Sequence, residues 1–199
     1  MINKIPMLLI VFRVFLAPAV CFVAYVYPDH KYWIVILCYL AIISDIFDGI
    51  IARKLGVATA KIRIYDCWAD FVFWLAAIWC IWVCFPDLVR ANAFLVMFLF
   101  IFEPLPDIIY LLKFKKQGCS HAYSSKTFGI ALVVMFTCLF GFGVAGIPFY
   151  VAIFIGLLSQ IDRILIALLL PARICDIPSC YHALLLRKEQ TIERNPLFH

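Results

Sequence analysis

The stretch that decides the fold covers residues 45–70 and reads DIFDGIIARKLGVATAKIRIYDCWAD. It contains four aspartates at the junction of two very apolar segments, namely Asp45, Asp48, Asp66 and Asp70. Ionised carboxylates are costly at the edge of hydrocarbon, and where they occur there they usually mark a functional site. The four aspartates therefore predict a divalent-metal site at a membrane surface.

The composition around this stretch is that of an integral membrane protein. Of the 199 residues, 66% are hydrophobic and 15% are charged, and the mean hydropathy is +1.04. Soluble domains contain about 45–50% apolar and about 25% charged residues. We therefore expect an all-α, polytopic membrane protein with six transmembrane helices. The apolar segments that predict them cover residues 6–27, 32–52, 67–85, 91–112, 128–144 and 148–170.

Lysine and arginine are distributed unevenly between the short loops, and this predicts the orientation of the chain. One side of the membrane collects thirteen of them, whereas the other side collects only Lys31 and Arg90. Because basic loops stay in the cytoplasm, we expect both termini and the 45–70 stretch to be cytoplasmic, at the inner membrane if the cell is bacterial. The net charge of +5 follows from this topology and from contact with anionic membrane lipids, so no nucleic-acid partner is expected.

The chain has no linker long enough to separate two membrane domains. We expect a six-helix transmembrane domain over residues 1–171 and a cytoplasmic tail over residues 172–199, with an interfacial helix near residues 181–187. Gly141, Gly143 and Gly146 provide small surfaces near the fifth and sixth segments, which favours a homodimer.

Helical spacing places the aspartates on matching faces. One face of the second segment carries the residues at offsets of zero, three, four, seven and eight, namely Asp45, Asp48, Gly49, Ala52 and Arg53. Asp66 and Asp70 are four residues apart on the next helix and share a face in the same way. If the two helices fold back antiparallel, both carboxylate pairs meet at the cytoplasmic rim.

The residue types in this cluster indicate a particular chemistry. Oxygen ligands without His or Cys suit Mg²⁺ or Mn²⁺, or else Ca²⁺, and Mg²⁺ is commonly shared with substrate phosphates. Gly49 and Ala52 remove side-chain bulk from the same face, and the Arg53 guanidinium is suited to binding phosphate. Together these residues predict a diphosphate substrate bridged by metal.

This pattern resembles the signature of the CDP-alcohol phosphatidyltransferase family, D-x2-D-G-x2-A-R-x8-G-x3-D-x3-D. The family's later Gly falls on Ile62, and the opening segment keeps Pro6 and Arg13 of the family's PNxLTxxR motif. Seven residues match the signature at the family's spacing, namely Asp45, Asp48, Gly49, Ala52, Arg53, Asp66 and Asp70.

The resemblance implies an enzyme of phospholipid biosynthesis. It would transfer a phosphatidyl group from CDP-diacylglycerol, or a similar CDP-lipid, to an alcohol such as glycerol 3-phosphate and release CMP. Two Mg²⁺ or Mn²⁺ ions would be held by Asp45, Asp48, Asp66 and Asp70, with Asp70 also acting as the catalytic base. CDP would lie against Gly49, Ala52, Arg53 and Ile62.

Basic and polar residues near the predicted cytoplasmic face are candidates for binding a phosphate on the acceptor. Positive-inside topology explains the basic ones equally well. The candidates are Lys61, Arg63, His121, Ser125 and Lys126.

Other interpretations of the charged residues remain open. A catalytically silent family member would bind the CDP-lipid or metal and act as a partner protein, and Ile62 motivates that reading. A small cation transporter would use the same aspartates, but it would need them near the bilayer midplane. The aspartates could also form an ion-pair cluster with Arg53, Lys61 and Arg63. Glu103 and Asp107 are expected to pair with Arg13 or Arg163, or to line the acceptor cavity.

Overall fold

The computed structural model describes residues 5–57, 59–115, 122–172, 174 and 177–188, without the side chains at positions 28, 60 and 61. Within these residues the chain forms α-helices and short helical turns, and no strand. The α-helices are α1 (Ile5–Val26), α2 (Tyr32–Lys54), α3 (Ala60–Cys84), α4 (Pro86–Ala91), α5 (Ala93–Phe102), α6 (Leu105–Phe114), α7 (Tyr123–Phe136), α8 (Gly146–Leu169) and α9 (Cys180–Arg187).

Six helical segments among the described residues are long and apolar enough to span a membrane. The fourth combines α5 and α6, and the fifth combines α7 with the π-helical turn Thr137–Gly141. The prediction of an all-α protein with six spans is therefore confirmed, whereas the cytoplasmic location of the termini stays a prediction. The six spans are Ile5–Val26, Tyr32–Lys54, Ile62–Cys84, Ala93–Phe114, Tyr123–Gly141 and Gly146–Leu169.

The chain divides into two compact units, which we describe separately. The first unit comprises Met1–Ala91 and Phe136–Ala145, and it contains α1 to α4 and the π-helical turn. The second unit comprises Asn92–Met135 and Gly146–His199, and it contains α5, α6, most of α7, α8 and α9.

In the first unit α1 is the central helix. It packs against both α2 and α3, which contact each other much less. The buried residues of α1 recur every three or four positions, and Ala17 and Ala24 among them allow neighbouring helices to approach closely. Arg13 falls on this same buried stripe. Consequently a charged side chain points toward the helices that carry the aspartates.

The connection between α2 and α3 is short. After Lys54 the chain turns through Gly56, whose φ of +67° lies in the left-handed region that favours glycine. Thr59 then caps α3, its hydroxyl oxygen accepting a hydrogen bond from the Ile62 N–H at 3.4 Å. As a result α3 begins at Ala60, before the apolar run at residue 67, and Asp66 lies inside the helix.

In the second unit the fourth span, predicted as one continuous helix, is interrupted between Phe102 and Leu105. Pro104 and Pro106 lack the N–H groups that would continue the hydrogen-bond ladder. Side chains of α8 meet the break: Arg163 contacts Glu103 at 2.9 Å and Asp107 at 3.0 Å. The expected ion pair is confirmed, with Arg163 as the partner.

The C-terminal helix α9 packs onto the second unit. Ile177 and Ala183 are buried in an apolar cluster with Tyr110 and with the end of α8. Asp162 of α8 accepts hydrogen bonds from the Cys180 N–H at 2.9 Å and from the Ser124 hydroxyl at 2.7 Å. The helix lies where the sequence predicts an interfacial helix, and its relation to the membrane surface, like the domain boundary after residue 171, stays a prediction.

Candidate functional site

The helices of the first unit bring the aspartates of the 45–70 stretch together. Asp48 belongs to the buried stripe of α2, together with Ser44 and Ala52. Asp66 and Asp70 lie one turn apart near the start of α3. Asp48 is six residues from the end of α2, about 9 Å along the helix axis, so the cluster lies inside the span but close to one of its ends.

Three of the four carboxylates converge tightly. One oxygen each of Asp45, Asp48 and Asp66 lie within 4.8 Å of one another, the only such group of His, Cys, Asp or Glu ligands found in the described part of the chain. The Asp48 side chain is 4% exposed and that of Asp66 is 20% exposed. Asp70 is 38% exposed and lies outside this group of three.

The donor set fits a hard divalent cation. Opposite oxygens around an octahedral Mg²⁺ are roughly 4.2 Å apart, and around Ca²⁺ they are roughly 5 Å apart, so oxygens within 4.8 Å can share one ion. All three donors are carboxylates, which favours Mg²⁺, Mn²⁺ or Ca²⁺ over softer metals. Partial exposure of Asp45 and Asp66 leaves room for further oxygen ligands from water or a phosphate.

Arg13 lies between the four aspartates. Its Nη1 contacts Asp45 Oδ1 at 3.2 Å and Asp66 Oδ1 at 2.9 Å, and it also contacts Asp70 Oδ1. Its Nη2 donates to Asp48 Oδ2 at 2.5 Å. The ion-pair alternative predicted from the sequence named Arg53, Lys61 and Arg63 and did not include Arg13, which contacts all four aspartates.

The sequence does contain a signal that Arg13 has anionic partners. It falls on the three-to-four residue spacing that the buried side chains of α1 follow, and an arginine on such a stripe needs anionic partners. Its Nε also donates to the Ser44 hydroxyl at 3.4 Å, and that hydroxyl donates to the Ala41 carbonyl at 2.7 Å. Arg13 is therefore 1% exposed but has hydrogen-bond acceptors on two sides.

The residues predicted to bind CDP lie around the end of α2 and the start of α3. Ala52 is 5% exposed, and Gly49 is half-buried one turn before the exposed Arg53. A Cβ placed on Gly49 would lie 3.3 Å from Arg53 Nη1, so the guanidinium folds back over the bare backbone at this position. Ile62 is half-buried in the first turn of α3.

The residues predicted to bind the acceptor fall in both units. Arg63 is half-buried on α3 in the first unit. Ser125 and Lys126 lie near the start of α7 in the second unit, where the Ser125 hydroxyl accepts from Ser159 Oγ at 3.4 Å. His121 and the side chain of Lys61 lie outside the described residues.

A second polar cluster occupies the second unit. Gln160, which is 1% exposed, donates to Glu103, and Arg163 Nη1 donates to Gln160 Oε1 at 3.2 Å. With Asp107 these groups join α5, α6 and α8 across the helix break. These contacts between α8 and the two halves of the fourth span explain how the interrupted span is held together.

A comparison with protein families decides what this chain is. The sequence model described as CDP-alcohol phosphatidyltransferase matches residues 3–169, which is most of the chain. The chain belongs to the CDP-alcohol phosphatidyltransferase family. No curated protein and no solved structure matches it significantly.

Membership of the CDP-alcohol phosphatidyltransferase family defines the general activity. The family transfers a phosphatidyl group in phospholipid biosynthesis, with CDP-alcohols and alcohols as substrates and a divalent metal as its usual cofactor. The matched region includes all four aspartates and Arg13. Asp45, Asp48 and Asp66 thus form a carboxylate cluster that could hold an ion, and the family typically uses a divalent metal.

Proposed function

We propose that this protein transfers the phosphatidyl group of CDP-diacylglycerol, or a similar CDP-lipid, to a small alcohol in a reaction dependent on Mg²⁺ or Mn²⁺. The observation that carries the proposal is the convergence of Asp45, Asp48 and Asp66 oxygens within 4.8 Å, on residues that match the family's signature. We propose glycerol 3-phosphate as the first acceptor to test and an inositol phosphate as the second.

In the proposed mechanism, separate residues bind the metal ions and the diphosphate. Asp45, Asp48 and Asp66 would hold up to two divalent ions, which supply charge stabilisation to the attacking and leaving oxygens of the displacement. Arg53, lying over Gly49, is placed to bind a phosphate of the diphosphate group. The absence of a side chain at Gly49 would let the nucleotide approach the α2 backbone if the Arg53 guanidinium moves onto a phosphate.

Asp70 is the proposed base. Its carboxylate takes the proton from the acceptor hydroxyl as that oxygen forms a bond to the lipid-side phosphorus. The bond between this phosphorus and the bridging oxygen breaks, and CMP leaves with the electron pair. The exposure of Asp70, 38% of its side chain, keeps it accessible to an acceptor, and its position outside the tight carboxylate group frees it from a purely ligating role.

The other parts of the proposal concern location and assembly. We propose that the centre faces the cytoplasm, because most lysines and arginines of the short loops fall on the side predicted for the 45–70 stretch, and that the protein forms a homodimer in the membrane. Lys61, Arg63, His121, Ser125 and Lys126 are proposed to bind a phosphate on the acceptor. Lys61 and Arg63 lie on the same helix as Asp66 and Asp70, and of these two only the Arg63 side chain is described.

The proposed function is tested by CMP release from CDP-diacylglycerol. The purified protein is supplied with Mg²⁺ or Mn²⁺ and with a panel of alcohols and alcohol phosphates, and the lipid product is identified by mass spectrometry. We expect CMP and one phosphatidyl-alcohol in equal amounts. Binding of CDP-diacylglycerol without CMP release from any acceptor would favour the silent binding protein, and metal-ion flux without either would favour the transporter.

Gly49→Ala should weaken CDP-lipid binding without unfolding the protein. The added methyl group would meet only the flexible end of Arg53, and replacing a helical glycine by alanine stabilises a helix by about 0.5–1 kcal/mol. We expect the KM for the CDP-lipid to rise roughly tenfold, since one misplaced contact is worth about 1–3 kcal/mol. Gly129→Ala in α7, with nothing near its Cβ, is the control and should leave KM unchanged.

Ile62→Gly should lower the KM for the CDP-lipid if the branched side chain narrows the nucleotide site. We expect a decrease of roughly tenfold, offset in part by a loss of helix stability of about 1 kcal/mol. Ile64→Gly, also half-buried near the start of α3, carries the same helix cost and should not improve KM. A rise in KM for Ile62→Gly would show that Ile62 contributes to the site.

A further inference from the structure

Arg13 occupies the position from which a single side chain reaches all four aspartates. It is 1% exposed and comes from α1, the helix that packs against both α2 and α3. Its two terminal nitrogens divide the contacts: Nη1 faces Asp45, Asp66 and Asp70, and Nη2 faces Asp48.

Arg13 contacts the same three carboxylates that a divalent ion would use. Asp45, Asp48 and Asp66 each direct an oxygen to the guanidinium, and the same three residues form the tight carboxylate group. A guanidinium stays protonated and has no acceptor atom, so it cannot become a metal ligand. A divalent ion bound by these carboxylates would therefore lie close to the guanidinium or take its place.

The charge of Arg13 also affects how the carboxylates would bind a metal ion. Arg13 carries one positive charge and contacts four carboxylates, so it offsets only one of their negative charges when all four are ionised. A positive charge fixed a few ångströms away nevertheless opposes a second cation. Arg13 is thus placed to hold the carboxylates together, and its charge acts against a metal ion bound among them.

We propose that Arg13 is a positioning residue that acts as the built-in cation of the aspartate cluster and competes with the divalent metal for its carboxylate oxygens. On metal binding it gives up contacts with Asp45, Asp48 and Asp66 and keeps its contact with Asp70, which lies outside the tight group. Arg13 would in this way set the metal affinity and keep the base oriented. The inference rests on the proposed function in taking the aspartates as metal ligands.

The test measures Mn²⁺ binding rather than catalysis. Purified protein is freed of metal with a chelator, and Mn²⁺ is titrated in the absence of CDP-lipid and acceptor while free Mn²⁺ is followed by electron paramagnetic resonance. We expect Arg13→Met to bind Mn²⁺ roughly tenfold more tightly than the wild type or better, because a nearby positive charge is removed. Arg13→Lys, which keeps the charge but cannot reach four carboxylates at once, should lie between the two.

Arg163→Met is the matched control. Arg163 is also a largely buried arginine within a span and pairs with two carboxylates, but these belong to the second unit. Its replacement should leave Mn²⁺ affinity unchanged. If Arg13→Met does not fold, the comparison is made with Arg13→Lys and with the double variant Arg13→Met, Asp70→Asn, which removes one negative charge as well.

The outcomes separate this inference from the proposed function. Tighter Mn²⁺ binding in the Arg13 variants supports competition, even if the wild type releases no CMP with any acceptor. Weaker or unchanged Mn²⁺ binding in Arg13→Lys and in the folded Arg13→Met protein would overturn it, since Arg13 would then only arrange the ligands. Absence of Mn²⁺ binding in every protein would overturn it as well.

Discussion

Replacing Asp48 by Asn is expected to abolish detectable transfer. Asp48 is the most buried of the four aspartates and supplies one of the three converging oxygens. The amide keeps the shape of the side chain but removes its negative charge. If its NH₂ group faces Arg13, two hydrogen-bond donors meet and the contact is lost. Losing one ligand of a metal that contributes several kcal/mol of charge stabilisation should lower kcat/KM by roughly 10³-fold or more.

The Asp48→Asn measurement combines three readouts. CMP release gives kcat/KM, electron paramagnetic resonance gives Mn²⁺ affinity, and thermal unfolding reports the loss of the Arg13 partner; breaking a buried charge pair typically costs about 3–5 kcal/mol. Asp87→Asn is the control, because Asp87 is 95% exposed on α4 and pairs only loosely with Arg90. Asp48→Asn protein that is folded and retains wild-type CMP release would exclude Asp48 from the metal site.

Replacing Asp70 by Asn is expected to separate catalysis from metal binding. The amide cannot accept the acceptor proton, and a positioned base contributes about 10²–10⁴-fold to the rate. Because Asp70 lies outside the tight group of Asp45, Asp48 and Asp66, Mn²⁺ affinity should change by only a few-fold. We therefore expect kcat to fall by roughly 10²–10⁴-fold.

The decisive comparison for Asp70 is between kcat and Mn²⁺ affinity in the same preparation. Asp66→Asn provides the contrast, since it removes one of the converging oxygens and should lower both. If Asp70→Asn loses Mn²⁺ binding to the same extent as Asp66→Asn, Asp70 is a ligand and the base must be sought elsewhere.

Much of the fold follows from hydrophobic length alone. Each of the six spans overlaps an apolar segment that the sequence shows directly, because backbone in a bilayer must satisfy its hydrogen bonds within the helix. Individual residues shift the helix boundaries away from those that the apolar segments predict. The Thr59 cap starts α3 before its apolar run, and Pro104 and Pro106 divide the fourth span into two helices. Such features depend on single residues that a hydropathy window averages away.

The candidate site was predictable where helical spacing determines it and unpredictable where helix packing does. Offsets along α2 and α3 predicted which aspartates share a face, and the structure brings three of them within 4.8 Å. The position of Arg13 depends on α1 lying between α2 and α3, and periodicity within one helix does not show that arrangement. Similarly, the sequence left Arg13 and Arg163 open as partners of Glu103, and the structure selects Arg163.

The dependence of CMP release on a divalent metal at this cluster tests the central claim most directly. Wild-type protein with CDP-diacylglycerol and the acceptor panel is assayed after chelation and again after addition of Mg²⁺ or Mn²⁺, beside Asp66→Asn and the Asp87→Asn control. We predict that chelation abolishes CMP release, that added metal restores it in the wild type and in Asp87→Asn, and that Asp66→Asn stays inactive. CMP release that persists after chelation, or that Asp66→Asn retains in full, would contradict the account.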